Sequence, residues 1–423
     1  MTERTKKIAG ATTALVLLTA LNFVNYIDRY ILPGVQELVK AEFHLSDERL
    51  GALTFWFFIT YIIAAPLTGW LGDRIPRKPL IVIGALLWSA MNFFTATVHN
   101  YDALLLRHAA LGIGEASFGI YALAVLSDFF PADQRNRMMT VFNCAIPIGA
   151  AMGYSLGGWL GGAHGWRTPF FFSAIPGVII ALLVLFFVKE PPRGASDEPE
   201  MLHAEKGIGN TVHHLAGVVS TLIKNPAYVT AVLGYAMVTF MVGGISIWMP
   251  SFLQRFHGDT PASAGFSVGA ITAVTGFLGT MIGGIWAHSW FRRDHRALYF
   301  VPAISALLTL PASIVCFFGP NWAVLPALSA AELFIFMGSA PVNAAILNAV
   351  SARMRATALA GELLIIHALG DVPSPRIIGA ISDASNLRYG LASATIALLL
   401  ASAVLLLGAR YAPRVSGAAQ QIA

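Results

Sequence analysis

Twelve apolar runs, each roughly 18–25 residues long, recur along the chain from residue 8 to residue 409, and that length carries an α-helix across a hydrocarbon core about 30 Å thick. Lipid offers no partner to backbone N–H and C=O groups, so a spanning segment is either a helix or part of a closed barrel. A barrel would write itself as weak alternation in ten-residue segments, and these runs are solid. Composition agrees, with 56% hydrophobic residues and only 12% charged ones, where soluble domains carry about 25% charged. The predicted spans are 9–36, 50–71, 80–98, 101–127, 138–161, 168–188, 228–252, 263–287, 297–318, 321–348, 357–381 and 388–410. The fold class that follows is an all-α polytopic membrane protein of twelve transmembrane helices.

The charges that remain are sorted by side. Alternate connections, together with both termini, hold 19 Lys and Arg, whereas the opposite connections hold five: Lys40, Arg49, Arg167, Arg255 and Arg388. Positive charge marks the cytoplasmic side, which puts both termini there and makes the span count even. The net charge of +5 is thus topology, and no nucleic-acid partner is expected. Cys144 and Cys316 sit in separate apolar runs, with neither a disulfide framework nor a metal-ligand spacing. The apolar run after Met1–Lys7 continues without a small-residue cleavage site into Asn25-Tyr26-Ile27-Asp28-Arg29, so it reads as an uncleaved first helix rather than a signal peptide.

The longest polar stretch, Lys189 to Asn225, contains Pro191-Pro192 and Asp197-Glu198-Pro199-Glu200. It divides the chain into an N-terminal half (1–189), a linker (190–225) and a C-terminal half (226–423), six spans in each half. An internal repeat supports the division. Gly69-Trp70-Leu71-Gly72-Asp73-Arg74-Ile75-Pro76-Arg77-Lys78 follows the second span, and Gly284-Ile285-Trp286-Ala287-His288-Ser289-Trp290-Phe291-Arg292-Arg293 follows the eighth at a constant offset of 215. Arg135-Asn136-Arg137-Met138 is echoed by Arg353-Met354-Arg355-Ala356 after spans four and ten. Parallel repeats of this kind build a site near the bilayer midplane.

The segment Gly69…Asp73-Arg74…Arg77-Lys78 resembles the loop signature of the major facilitator superfamily, and the resemblance runs over essentially the whole chain. It implies the major facilitator fold, no cofactor, and a gate on the cytoplasmic face made by Gly69, Asp73, Arg74, Arg77 and Lys78, with His288, Arg292 and Arg293 as the second copy. Pro76 stands where the signature has glycine, and His288 where the second copy often keeps an aspartate. Gly149, Gly153 and Gly157 fit the superfamily's small-residue fifth helix. Within the superfamily the chain is most similar to the Spinster-like lipid transporters, through Asn25-Tyr26-Ile27-Asp28-Arg29-Tyr30, Gly112-Ile113-Gly114-Glu115-Ala116-Ser117 and His367-Ala368-Leu369-Gly370-Asp371-Val372-Pro373-Ser374-Pro375. The family's span-four arginine would fall at His108, with Arg107 one residue earlier. One residue is about 100° of helix rotation, so either His108 replaces it or Arg107 reaches round.

Ionisable side chains inside a span are costly and need a partner or a task. Asp28, Arg29 and Glu115 all lie near the middle of their spans. The resemblance implies a cavity lined by spans one, four, seven and ten, which would gather the three in one wet cluster. A carboxyl can carry a proton if its partners change during a cycle, so Asp28, Glu115 and His108 are the candidate proton-coupling residues. The planar fork of arginine holds phosphate or carboxylate bidentately, which makes Arg29, with Arg107, the candidate head-group binder. Tyr235, Met237, Phe240, Met241 and Asn343 in spans seven and ten supply a softer surface for apolar chains. His367 and Asp371, four apart on one helix face, are either a relay or a brace for the break made by Pro373 and Pro375.

Gly153-Tyr154-Ser155-Leu156-Gly157 matches a nucleophile-elbow pattern but lacks the strand-to-helix turn that pattern needs. Phosphate-loop, dinucleotide and zinc-protease motifs do not occur, and a channel filter is equally missing. The expectation is alternating-access transport of a lysophospholipid or sphingolipid-like molecule coupled to protons, by a monomer in a bacterial inner membrane. Transport of small organic anions or drugs, or a receptor that has lost transport, are the alternatives.

Overall fold

The computed structural model describes residues 8–72, 74–196, 211–351 and 354–413. Twelve helices are long and apolar enough to cross a membrane, and no strand occurs among the described residues. Large apolar side chains face outward, among them Trp322 at 80% and Leu106 and Phe186 at 73% exposure, as a lipid-facing surface requires. The chain divides into two compact units. The first holds Met1–Leu45, Trp56–Gly209 and Asp259–Gly269; the second holds Ser46–Phe55, Asn210–Gly258 and Ala270–Ala423.

In the first unit lie α1 (Ala11–Phe43), most of α2 (Asp47–Gly72), α3 (Arg77–Thr95), α4 (Tyr101–Phe129), α5 (Ala132–His164) and α6 (Arg167–Phe187). The first helix outruns its predicted end at residue 36, because Gln36, Glu37 and Lys40 continue the helix past the apolar run. Small residues decide how α1 meets α5. Gly149 faces Phe23 and Tyr26, Gly153 faces Ile27 and Tyr30, and Gly157 faces Ile31, while Gly34 on α1 abuts Tyr154 and Gly157 in return. Glycines every fourth residue let two backbones touch where lipid supplies no hydrophobic drive of its own.

At the end of this unit that carries the basic loops, Arg77 pairs with Asp128 at 2.8 Å. Glu190 accepts from the backbone N–H groups of Arg77 and Lys78 at 2.7 and 2.9 Å, an acidic cap on the orphan donors of α3. Arg193 donates to the carbonyls of Gly72 and Ile75, Gly194 N–H donates to Asp128, and the Ser196 hydroxyl lies between the Ser127 and Phe130 carbonyls at 2.8 and 2.9 Å, with one proton to give to either. Residues 190–196, predicted as the start of a loose linker, are therefore a strap across the helix ends. Arg74 stacks on its own neighbour Trp70 at 4.0 Å, Gly69 has open space beside it, and Asp73 lies outside the described residues.

In the second unit, α7 (Thr211–Lys224) is a helix inside the stretch predicted as linker, anchored by the buried Leu222. It is followed by α8 (Pro226–His257), most of α9 (Pro261–Phe291), α10 (Ala297–Phe318), α11 (Asn321–Met337), α12 (Ser339–Asn348), α13 (Arg355–Ile366), α14 (Pro373–Ala384) and α15 (Leu387–Gly408). Between α13 and α14 the helix widens into a π turn, His367–Asp371, closed by Val372 N–H to His367 O at 3.0 Å. Pro373 has no N–H to continue the α register. The first turn of α2 belongs here too. Asp47 accepts two bonds from Arg255, at 2.6 and 2.7 Å, and Asp383 caps Asp47 and Glu48 backbone N–H groups, both at 2.8 Å. Arg376 pairs with Glu48 at 2.8 Å, not with Asp371 or Asp383, since it stands beside that first turn of α2. His288, Arg292 and Arg293 are exposed and make no ion pair among the described residues, unlike Arg77 in the first copy.

The glycine spacing of α5 gives a direct test. Gly153→Leu would drive a side chain into the Ile27 carbonyl and Tyr30, and overpacking a tight contact costs about 1–3 kcal/mol or more. A thermal unfolding midpoint in detergent well below wild type is expected, with no comparable loss for Gly69→Ala.

Candidate functional site

The site in the first unit starts from one turn of α1. Asp28 and Arg29 are neighbours and so leave the helix about 100° apart, and they serve different neighbours. Arg29 turns to α4, where its Nε and Nη2 donate to Glu115 Oε2 at 3.0 and 2.6 Å. Rings enclose the guanidinium: Tyr26 at 5.0 Å, Phe57 at 5.2 Å, Tyr61 at 5.8 Å and Phe58 at 6.0 Å to their centroids. Aromatic faces attract a cation, more so where water is thin. The Glu115 side chain is 1% exposed and that of Arg29 19%, so the pair keeps one wet edge, on the arginine.

Asp28 turns the other way. Its carboxylate faces Ser173 on α6 and Trp88 and Asn92 on α3, yet neither oxygen closes a hydrogen bond. Trp88 Nε1, Ser89 Oγ and both polar atoms of the Asn92 amide are also buried and unpartnered. Arg29 and Glu115 thus form a pair with its accessible edge on the arginine, while Asp28, near enough to Glu115 for their charges to interact, is buried among polar groups of α3 and α6. The rotation between adjacent helix positions is the reason.

The span-four ambiguity resolves as well. His108 stands seven residues, two full turns, before Glu115 and shares its face. Its ring is buried beside Phe57 at 5.6 Å, and its Nδ1 has no partner. Phe57 thereby touches both His108 and Arg29. Arg107 leaves that face and donates to the Phe94 carbonyl and Thr97 Oγ1 near the end of α3. It does not join Arg29 in this structure. Gly112 lets α2 approach α4 at this level, where Thr60 donates to the Ala109 carbonyl at 2.5 Å. Ser155, of the elbow-like motif, donates to Ala151 O at 2.8 Å inside an unbroken helix.

A model of the Major Facilitator Superfamily matches residues 18–370. Protein spinster homolog 1 of Homo sapiens is 32% identical over 401 residues, covering 90% of this chain and 75% of that one. Sphingosine-1-phosphate transporter SPNS2 of Danio rerio is 32% identical over 418 residues, covering 93% and 82%. The chain is a Spinster-like member of the major facilitator superfamily. It is a transporter, not an enzyme. Its fold is that of a crystal structure of a bacterial homologue of the human lysosomal transporter Spinster in an inward-facing, unoccupied conformation, with a TM-score of 0.87, 23% identity, and coverage of 97% of this chain and 100% of that one.

In the second unit of this Spinster-like transporter, Tyr235 on α8 lies beside Asn343 on α12, with Glu362 on α13 and Asp371 close by. Asn343 donates to Ser339 O at 2.9 Å, and His367 Nδ1 meets Asp371 Oδ2 at 2.6 Å. Asp371 also abuts Gly243, which brings the π turn against α8. Met237 and Phe240 are half-buried, whereas Met241 is fully buried. The Met241 side chain is therefore packed between helices in this structure. Two carboxylates escape a motif-led reading: Glu332 on α11 and Glu362, 3% and 5% exposed. The rule that singles out Asp28, an ionisable group within an apolar span, applies to both.

Removing one partner of a buried ion pair strands the other and costs about 3–5 kcal/mol. Arg29→Ala and Glu115→Ala should each lower the thermal midpoint strongly, and the double variant should be less impaired than the sum of the two. Additive losses in such a cycle would mean that the two side chains act independently.

Proposed function

We propose that this transporter moves an amphiphilic anion, a lysophospholipid or a sphingolipid phosphate, and couples it to protons through the first unit. The observation that carries the reading is the Arg29–Glu115 pair with its open edge on the arginine. A phosphate arriving at that edge competes with Glu115 for the guanidinium, and arginine suits it because its fork binds phosphate bidentately. Glu115, released into a dry site, is then a buried charge without a partner, and a proton relieves that cost. Asp28, one position away on α1 and already without hydrogen bonds, is the group that carries the proton in the coupled step. His108 lies one ring away from Arg29 and completes the proton-handling set. The sphingosine-1-phosphate transport for which the Danio rerio relative is named supports a lipid phosphate as the class of substrate.

In this reading Tyr235, Met237, Phe240 and Asn343 are the candidate substrate contacts of the second unit. The two halves are residues 1–189 and 226–423, and Arg77 with Lys78 belongs to a cytoplasmic gate. The sorting of 19 against five basic residues puts both termini in the cytoplasm. The protein works as a monomer in a bacterial inner membrane.

The test is uptake of a labelled lysolipid by proteoliposomes under an imposed proton gradient, for wild type and Asp28→Asn. Gradient-driven flux that falls at least tenfold in the variant is expected, with lysolipid binding retained. Equal flux in both, with or without the gradient, would make the protein a facilitator and Asp28 structural. Flux of small organic anions in place of lysolipid would move the substrate class instead.

A further inference from the structure

A further buried carboxyl stands in the other half of the chain, away from every motif used so far. Glu332 lies on α11, inside the span 321–348, and its neighbours come from α9. Gly279 of α9 abuts the Leu333 backbone, Gly283 the Met337 backbone, and Gly276 the Phe336 ring. This glycine stripe brings α9 and α11 close enough to squeeze water out around the carboxyl, which is 3% exposed.

Two hydroxyls from α9 meet it. Thr272 Oγ1 donates to Oε1 at 3.1 Å, and Thr275 Oγ1 lies 3.2 Å from Oε2. A hydroxyl has one proton to give, and Thr275 already donates to Ile271 O at 2.8 Å. With that proton on Ile271 O it meets Oε2 with a lone pair; turned the other way it donates to Oε2. A lone pair facing Oε2 is satisfied only if Oε2 carries a proton of its own. The chain of bonds then closes without conflict: Thr272 O–H to Oε1, the carboxyl O–H to Thr275, and Thr275 O–H to the Ile271 carbonyl. An ionised Glu332 would have only these two neutral hydroxyls for its charge, and among the described residues no Lys, Arg or His pairs with it. Cys316 of α10, a thiol and not a cation, lies close to it. A bare carboxylate in such a place is among the costliest groups a protein can bury.

We propose that Glu332 is a further proton-carrying carboxyl of this transporter, held as the neutral acid between α9 and α11 and released only when that glycine-lined crossing opens. The crossing is the lock, because its closeness both excludes water and aligns the two threonines. That the carboxyl is protonated stands on its burial without a cation, between two neutral hydroxyls; its use in coupling rests on the proposed proton-coupled function.

The experiment is infrared spectroscopy of the purified, detergent-solubilised protein at neutral pH in H2O and D2O, for wild type, Glu332→Gln and Thr275→Val. Wild type should show a protonated-carboxyl C=O band that Glu332→Gln loses and that Thr275→Val shifts, both variants being isosteric enough to fold. A spectrum of Glu332→Gln with every protonated-carboxyl band intact would mean that Glu332 is ionised and would overturn the assignment. This arm needs no substrate, so it reads correctly even if lysolipid proves not to be the cargo. For the coupling role, protons moved per substrate should fall in Glu332→Gln while substrate binding persists. An unchanged ratio would leave Glu332 a static brace.

Discussion

A guanidinium and a carboxylate placed at mid-membrane depth hold each other there, and much else in the first unit is arranged around them. Arg29 and Glu115 come from helices whose approach is set elsewhere: α1 is fixed against α5 by a run of glycines, and α4 is drawn to α2 at Gly112. Four aromatic rings then surround the guanidinium. The pair is costly to break and costly to leave broken. In the proposed function that is why it suits exchange: a substrate phosphate would replace one partner only if a proton replaced the other charge. Asp28, buried among polar groups of α3 and α6, supplies the same logic without a cation of its own.

Most of the architecture was legible in the sequence, because lipid imposes one rule on every span and the rule is written in run length. Where boundaries slipped, the cause was polar residues at helix ends. α1 runs on through Gln36, Glu37 and Lys40, and α2 begins at Asp47 because Asp383, 336 positions away, caps it. The strap of residues 190–196 was hidden for a related reason. Prolines and charges read as loop, and only long-range partners such as Asp128 and the first turn of α3 turn them into structure.

The site was legible residue by residue, not as an assembly. A rotation of about 100° per residue is enough to say that Asp28 and Arg29 part company. Which of them meets α4, and which meets α3 and α6, depends on packing that one sequence does not display. The same geometry, applied over seven residues, puts His108 and not Arg107 on the face of Glu115. Met241 looked like part of a greasy surface, but α8 buries it completely. Glu332 and Glu362 carried the same signal as Asp28, an ionisable group in an apolar span, and were obscured by the absence of a motif around them.

The claim on which the account turns is that lipid and proton movements are one event. The most direct measurement is proton flux evoked by substrate alone: lysolipid is added to proteoliposomes that hold a pH-sensitive dye, with no gradient imposed beforehand. The account predicts a rapid pH change in the lumen of wild-type vesicles, lost in Asp28→Asn and absent for an uncharged amphiphile of equal chain length. Lysolipid entering the vesicles with no accompanying pH change would contradict it.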